Sequence, residues 1–239
     1  MFVVMKERAK ETSSGSQLKS FGRKAITRFA LVSFVLGAIF FLLAGTTSYW
    51  QAWVYLLVLC VPMIFLVRYL YKHDPELLER RMRLREKQKT QKRIVALSWP
   101  FFLMAFIIPG LDHRWHWSSA PFAVIVISDV LVLLSYLFIA LVFKTNSYAS
   151  RIVEIQASQK VITTGPYSIV RHPMYLGILF FYLFSPLALG SYWAVLPALL
   201  IIPILVARII GEEKELLENL EGYGEYVTKT KYRLIPRIW

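Results

Sequence analysis

The sequence predicts an all-α polytopic membrane protein of about six transmembrane helices, with a cytoplasmic pocket built by its C-terminal half. Three observations carry that prediction. Six apolar runs divide the chain, most of them near the ~20 residues needed to cross a hydrocarbon core of about 30 Å. The connections between runs alternate, short uncharged turns on one side and long basic segments on the other. Composition agrees: 56% of the 239 residues are apolar and seven are Trp, far from an ordinary soluble domain. The net charge of +13 would suit nucleic acid, but its basic clusters all fall on one face, as topology and anionic lipid headgroups require. No nucleic-acid role is expected. A single cysteine, Cys60, excludes an internal disulfide and a Cys-based zinc cluster.

Residues 1–24 read as a flexible basic tail without a cleavable signal peptide, since no apolar core precedes residue 25. Residues 25–143 hold about four transmembrane helices. The first two, over 26–44 and 52–70, form a hairpin around an uncharged turn closed by Tyr49 and Trp50. A basic cytoplasmic loop over 72–93 follows; between residues 68 and 93 ten Lys/Arg face four acids, which fixes this side as inside. Within it, Asp74 before Pro75 reads as the N-cap of a short amphipathic helix lying solvated on the surface. A short third run over 94–109 ends in a turn at 110–117, where His113 and His116 among tryptophans fit an interfacial aromatic belt better than a metal site. No metal is expected. The fourth run, 121–143, contains Asp129, an intramembrane carboxylate with either a functional or a helix-bonding role.

The remainder, 144–239, carries the chemistry. A polar segment with Glu154, Gln156, Gln159 and Lys160 is too long to be a mere connector. It leads into the turn at 165–175, Gly-Pro-Tyr-Ser-Ile-Val-Arg-His-Pro-Met-Tyr, which opens directly into an apolar run over 174–189. A last run over 192–210 delivers Arg208 and Glu212, four residues apart on one helix face. Because the hairpin folds back, Arg171, His172, Arg208 and Glu212 converge at the basic side of the membrane. A cation, a carboxylate, a histidine and tyrosines around a half-buried hollow suit a zwitterionic, stacking cofactor and an anionic or lipid-like substrate. There is no Ser/His/Asp order, HExxH or phosphate loop, so hydrolysis and nucleotide-triphosphate chemistry lack support.

Gly165-Pro166-Tyr167, Val170-Arg171-His172-Pro173-Met174-Tyr175, Arg208 with Glu212-Glu213, Glu225-Tyr226 and Tyr232-Arg233-Leu234-Ile235-Pro236 together resemble the signature of the isoprenylcysteine carboxyl methyltransferase family. The related phospholipid methyltransferases share its plan. The resemblance covers roughly residues 145–239 and implies an integral membrane, multi-pass methyltransferase using S-adenosylmethionine. By position it implies a cofactor pocket in which Gln159, Lys160, Val161 and Ile162 line the cofactor, Tyr167, His172 and Tyr175 pack around it, and Glu212 accepts hydrogen bonds from it. It implies that Arg208 faces the substrate, expected to be the carboxylate of a lipid-like, isoprenylcysteine-type molecule entering from the membrane. Both termini and the active site are expected to be cytoplasmic. Two other acceptors fit the same motifs, a phospholipid amine and a small thiol. Membrane sterol reductases, which use a nicotinamide cofactor, resemble this region too, but their extra helices are absent here. A non-enzymatic alternative uses Arg171, His172 and Arg208 as anchors for anionic lipid headgroups.

Overall fold

The computed structural model describes residues 25–82, 88–150, 152, 155–156 and 159–239. The expected basic tail 1–24, part of the 72–93 loop and Glu154 lie outside the described residues. Among the described residues every regular element is helical: α1 (Ala25–Ala44), α2 (Trp50–His73), α3 (Pro75–Met82), α4 (Lys89–Trp115), α5 (Phe122–Thr145), α6 (Pro173–Ala188), α7 (Val195–Asn219) and α8 (Tyr223–Lys229), with a 3-10 turn at Gly165–Ser168. Five of these, α1, α2, α4, α5 and α7, are long and apolar enough to cross a membrane. The sixth predicted span, α6, has 16 residues, which rise about 24 Å and fall short of the hydrocarbon thickness. Its far end is pinned where Ser191 donates to the Asp112 carboxylate at the close of α4. The shortfall therefore appears at the His172 end, as a hollow beyond the first turn of α6.

Close helix contacts need small residues where lipid offers no hydrophobic drive to association. A side chain on Gly177 of α6 would place its Cβ 2.6 Å from Ile139 Cγ1 of α5, and one on Gly110 of α4 would come 2.8 Å from Leu43 Cβ of α1. Gly177→Ala is expected to cost about 1–3 kcal/mol through overpacking, read as a lower melting temperature in detergent. The loss should be relieved by Ile139→Ala in the same chain. Buried hydroxyls make further ties: Tyr55 of α2 donates to Ser185 Oγ of α6 at 2.7 Å, and Tyr49 donates to the Leu189 carbonyl.

Three expectations need correction. The third run does not turn at 110–117; α4 spans 27 residues from Lys89 and continues through Pro100, Pro109 and Gly110, ending where His116 adopts a left-handed φ of 54°. Membrane helices tolerate such breakers because neighbours re-satisfy the freed backbone groups. The 110–117 residues instead make a polar knot. Asp112, 1% exposed, accepts from the Ser118 amide at 2.7 Å and its hydroxyl at 2.6 Å, and His113 stacks on Tyr49 at 4.2 Å. Nor is the amphipathic helix solvated: Asp74 caps it through the Leu77 amide at 2.9 Å as expected, but Leu77 and Leu78 are buried against α2 and α5. Finally, Lys89 to Arg93 of the basic loop are helical, which places Gln91 inside the bundle. Asp129 is buried on α5, and neither carboxylate oxygen finds a hydrogen-bond partner among the described residues.

Candidate active site

The hollow beyond α6 is closed by the polar turn and the C-terminal tail, and one carboxylate organises both. Glu213 of α7 accepts from Arg171 Nε and Arg233 Nε, each at 2.6 Å, and lies 3.3 Å from His172 Nε2. Arg171 Nη1 also donates to the carbonyls of Thr230 and Lys231, each at 2.8 Å. The backbone repeats the tie, with the amides of Arg171 and His172 donating to Tyr232 and Arg233 carbonyls at 2.9 Å. Arg171 and His172 are only 6% and 5% exposed. A buried guanidinium held by Glu213 and two carbonyls, with a buried imidazole beside the same carboxylate, is no headgroup anchor, so the non-enzymatic alternative loses two of its three residues.

Upstream, Gly165 turns the chain with φ +58°, a region that favours glycine, and sits against Thr145 at the end of α5. The following Tyr167 accepts from Asn146 Nδ2 at 2.8 Å, while Tyr226 of α8 donates to its carbonyl at 2.7 Å. Burial pushes the hydroxyls of Tyr167 and Tyr223 well above the ordinary tyrosine range, and that of Tyr226 up to about 12. All three remain protonated at neutral pH.

These ties leave two chambers. The first is the more polar of the two. Gln159, Lys160, Val161 and Ile162 line it from the loop, Tyr167, His172 and Tyr175 from the turn and α6, and Glu212 from α7. All eight residues expected around a cofactor therefore meet in one cavity. Gln159 does so partly as loop architecture: its side-chain oxygen accepts from the Gln156 amide at 3.1 Å. Arg208 is not in this cavity. It lines a second, largely apolar chamber between α4, α6 and α7, whose lining includes Trp99, Phe102, Ile178, Leu205 and Arg81. Met174 and Tyr175 line both chambers and form their common wall. The Tyr175 hydroxyl accepts from Arg208 Nε at 2.9 Å and donates to Glu212 Oε2 at 2.6 Å. The expected i,i+4 relation of Arg208 and Glu212 is thus mediated by a tyrosine from the neighbouring helix.

Sequence reasoning missed several lining residues. Arg81 sits in the segment read as a surface helix, and Asn146, inside the region 144–239 that carries the chemistry, was given no role. Tyr223 and Tyr226 carried no assigned role, although Tyr226 stands in the quoted signature. Arg81 lies 4.6 Å over the Phe143 ring and donates to the Ser150 carbonyl at 3.1 Å, so the N-terminal half contributes to the site.

Residues 123–225 match the family model described as phospholipid methyltransferase. The match spans 103 of the 239 residues, less than half of the chain. That region begins in α5 and ends in α8, so it contains the common wall, Arg208 and nearly all of the polar chamber. Among solved structures, the eukaryotic intramembrane Ras methyltransferase ICMT (isoprenylcysteine carboxyl methyltransferase) is 17% identical, covering 89% of this chain and 86% of that chain at a TM-score of 0.47. The comparison with curated proteins found no match.

Proposed function

We propose that this chain is an integral membrane methyltransferase that uses S-adenosylmethionine and methylates the carboxylate of a lipid-like, isoprenylcysteine-type acceptor. The observation that carries the proposal is the pair of chambers, one polar and one apolar, separated by Met174 and Tyr175. The polar chamber fits the cofactor. It offers a carboxylate and several aromatic faces, and the buried Tyr223 hydroxyl within it has no hydrogen-bond partner among the described residues. In this reading Gln159, Lys160, Val161 and Ile162 bound the cofactor on the loop side, Tyr167, His172 and Tyr175 pack around it, and Glu212 accepts its hydrogen bonds.

When bound, S-adenosylmethionine supplies an electrophilic methyl group on a sulfonium, and its transfer to a carboxylate oxygen is a direct displacement leaving S-adenosylhomocysteine. A carboxylate is already ionised at neutral pH, so the protein needs no general base. Its task is alignment and exclusion of water. Arg208 orients the acceptor carboxylate through paired hydrogen bonds, and the apolar chamber holds the acceptor's hydrocarbon. Clustered basic residues on the side of the polar turn support a cytoplasmic active site and cytoplasmic termini. The proposed division is an N-terminal helical part, 25–143, and a methyltransferase region, 144–239, to which the first part adds Arg81 in the lining of the apolar chamber and Gln91 against Arg208.

Glu212→Ala is expected to weaken S-adenosylhomocysteine binding by about 1.5–3 kcal/mol, the worth of hydrogen bonds to a charged group. Unchanged affinity by calorimetry would remove Glu212 from the cofactor site. The overall test incubates purified protein with methyl-labelled cofactor and, in parallel, farnesylcysteine, a phospholipid and a small thiol. Label in farnesylcysteine supports the proposal. The family description favours one second reading, a phospholipid amine, with the phosphate held toward Arg81 and Arg208; label in phospholipid alone would establish it instead.

A further inference from the structure

We infer that Gln91 is a positioning residue for Arg208, an inference that rests on the methyltransferase reading above. Gln91 lies in the first turn of α4, in a stretch where its neighbours Lys89, Lys92 and Arg93 mark the aqueous side, yet its side chain is 1% exposed. Burying an amide is costly unless both its ends are used. Here both turn to the same residue: Oε1 accepts from Arg208 Nη1 and Nε2 donates to the Arg208 carbonyl, each at 3.4 Å. One side chain thus holds the guanidinium and the backbone that carries it. Room for this contact comes from α7 itself, because a Cβ on Gly211 would fall 2.3 Å from Gln91 Nε2. On its other flank Arg208 donates from Nε to Tyr175, so the guanidinium is held from α4 and α6 at once.

The chemistry of the partner matters. An amide orients the guanidinium without contributing a counter-charge, so it leaves the attraction for an anionic acceptor intact. A carboxylate at the same place would compete with the acceptor for the same cation. Gln91 does not line the polar chamber, so its effect falls on the acceptor side.

The test compares the parent with Gln91→Met, which keeps the volume and removes both hydrogen bonds, and Gln91→Glu, which keeps the shape and adds a charge. Initial rates are measured with farnesylcysteine and S-adenosylmethionine varied separately, and S-adenosylhomocysteine binding is measured by calorimetry. Both variants are expected to lose about ten- to a hundredfold in kcat/KM for the acceptor, the scale set by misplacing a catalytic group by about 1 Å. In Gln91→Glu the loss falls mainly on acceptor KM. Cofactor KM and S-adenosylhomocysteine affinity stay within about twofold of the parent, whereas a general packing defect would shift them along with the acceptor constants. Acceptor kcat/KM of Gln91→Met within about twofold of the parent overturns the positioning role. So does a matching loss in cofactor affinity. A parent protein that transfers label to none of the acceptors overturns the methyltransferase reading itself, and this role with it.

Discussion

Replacing Arg208 by alanine is expected to reduce methyl transfer on the order of a hundredfold or more, the loss seen when one aligned donor is removed from a reacting oxygen, while S-adenosylhomocysteine binding is retained. The separation follows from the two chambers. Arg208 lines the apolar one and meets the common wall at the Tyr175 hydroxyl. Removing its side chain leaves Glu212, Tyr167 and the 159–162 loop where they are, and Tyr175 keeps its 2.6 Å bond to Glu212. Lysine should not rescue activity. Its ammonium is a point charge without the planar fork that fixes a carboxylate in two hydrogen bonds, and it cannot face the acceptor while also meeting Tyr175 and Gln91. Normal turnover by the alanine variant would remove Arg208 from the reaction; joint loss of turnover and S-adenosylhomocysteine affinity would instead assign it a role in holding the polar chamber together.

Much of this site was legible because its residues break local rules. Polar groups at 165–175 that open straight into an apolar helix have few structural excuses, and Arg208 inside an apolar run has fewer still. The topology then brought the two together without any further assumption. What escaped were relations between elements. Tyr175 reads as an interfacial tyrosine until α7 places Arg208 and Glu212 on either side of its hydroxyl. Gln91 reads as one more solvated residue of a basic loop, since nothing local announces that Gly211, 120 positions later, leaves a space for it. The third run reads as ending at Pro109, and Pro-Gly commonly ends helices in water, whereas here Gly110 is needed for the approach of α1. Leu77 and Leu78 on an eight-residue helix give too little apolar surface to distinguish docking from exposure.

Glu213 illustrates the same limit at closer range and carries the second large prediction. It stands beside Glu212 in the signature, yet adjacent helical residues point about 100° apart. One carboxylate therefore faces the polar chamber and the other faces the tail. Glu213→Ala leaves the Arg171 guanidinium, whose side chain is 4% exposed, without its charge partner, a situation that costs about 3–5 kcal/mol. The loss should appear as a large drop in melting temperature in detergent and as early proteolysis of the segment after Asn219, since Arg171 and Arg233 lose their common anchor between turn and tail. Cofactor affinity should fall as well, because Tyr223 and Tyr226 line the polar chamber from that segment. Pairing the substitution with Arg171→Met separates charge from architecture: removing both partners of a buried ion pair costs far less than removing one. Recovery of most of the melting temperature in the double variant, with the tail still protected, would show that the penalty in the single variant is the stranded guanidinium. If the double variant is no more stable than Glu213→Ala, the hydrogen bonds of Glu213 to His172 and Arg233 carry the fold instead.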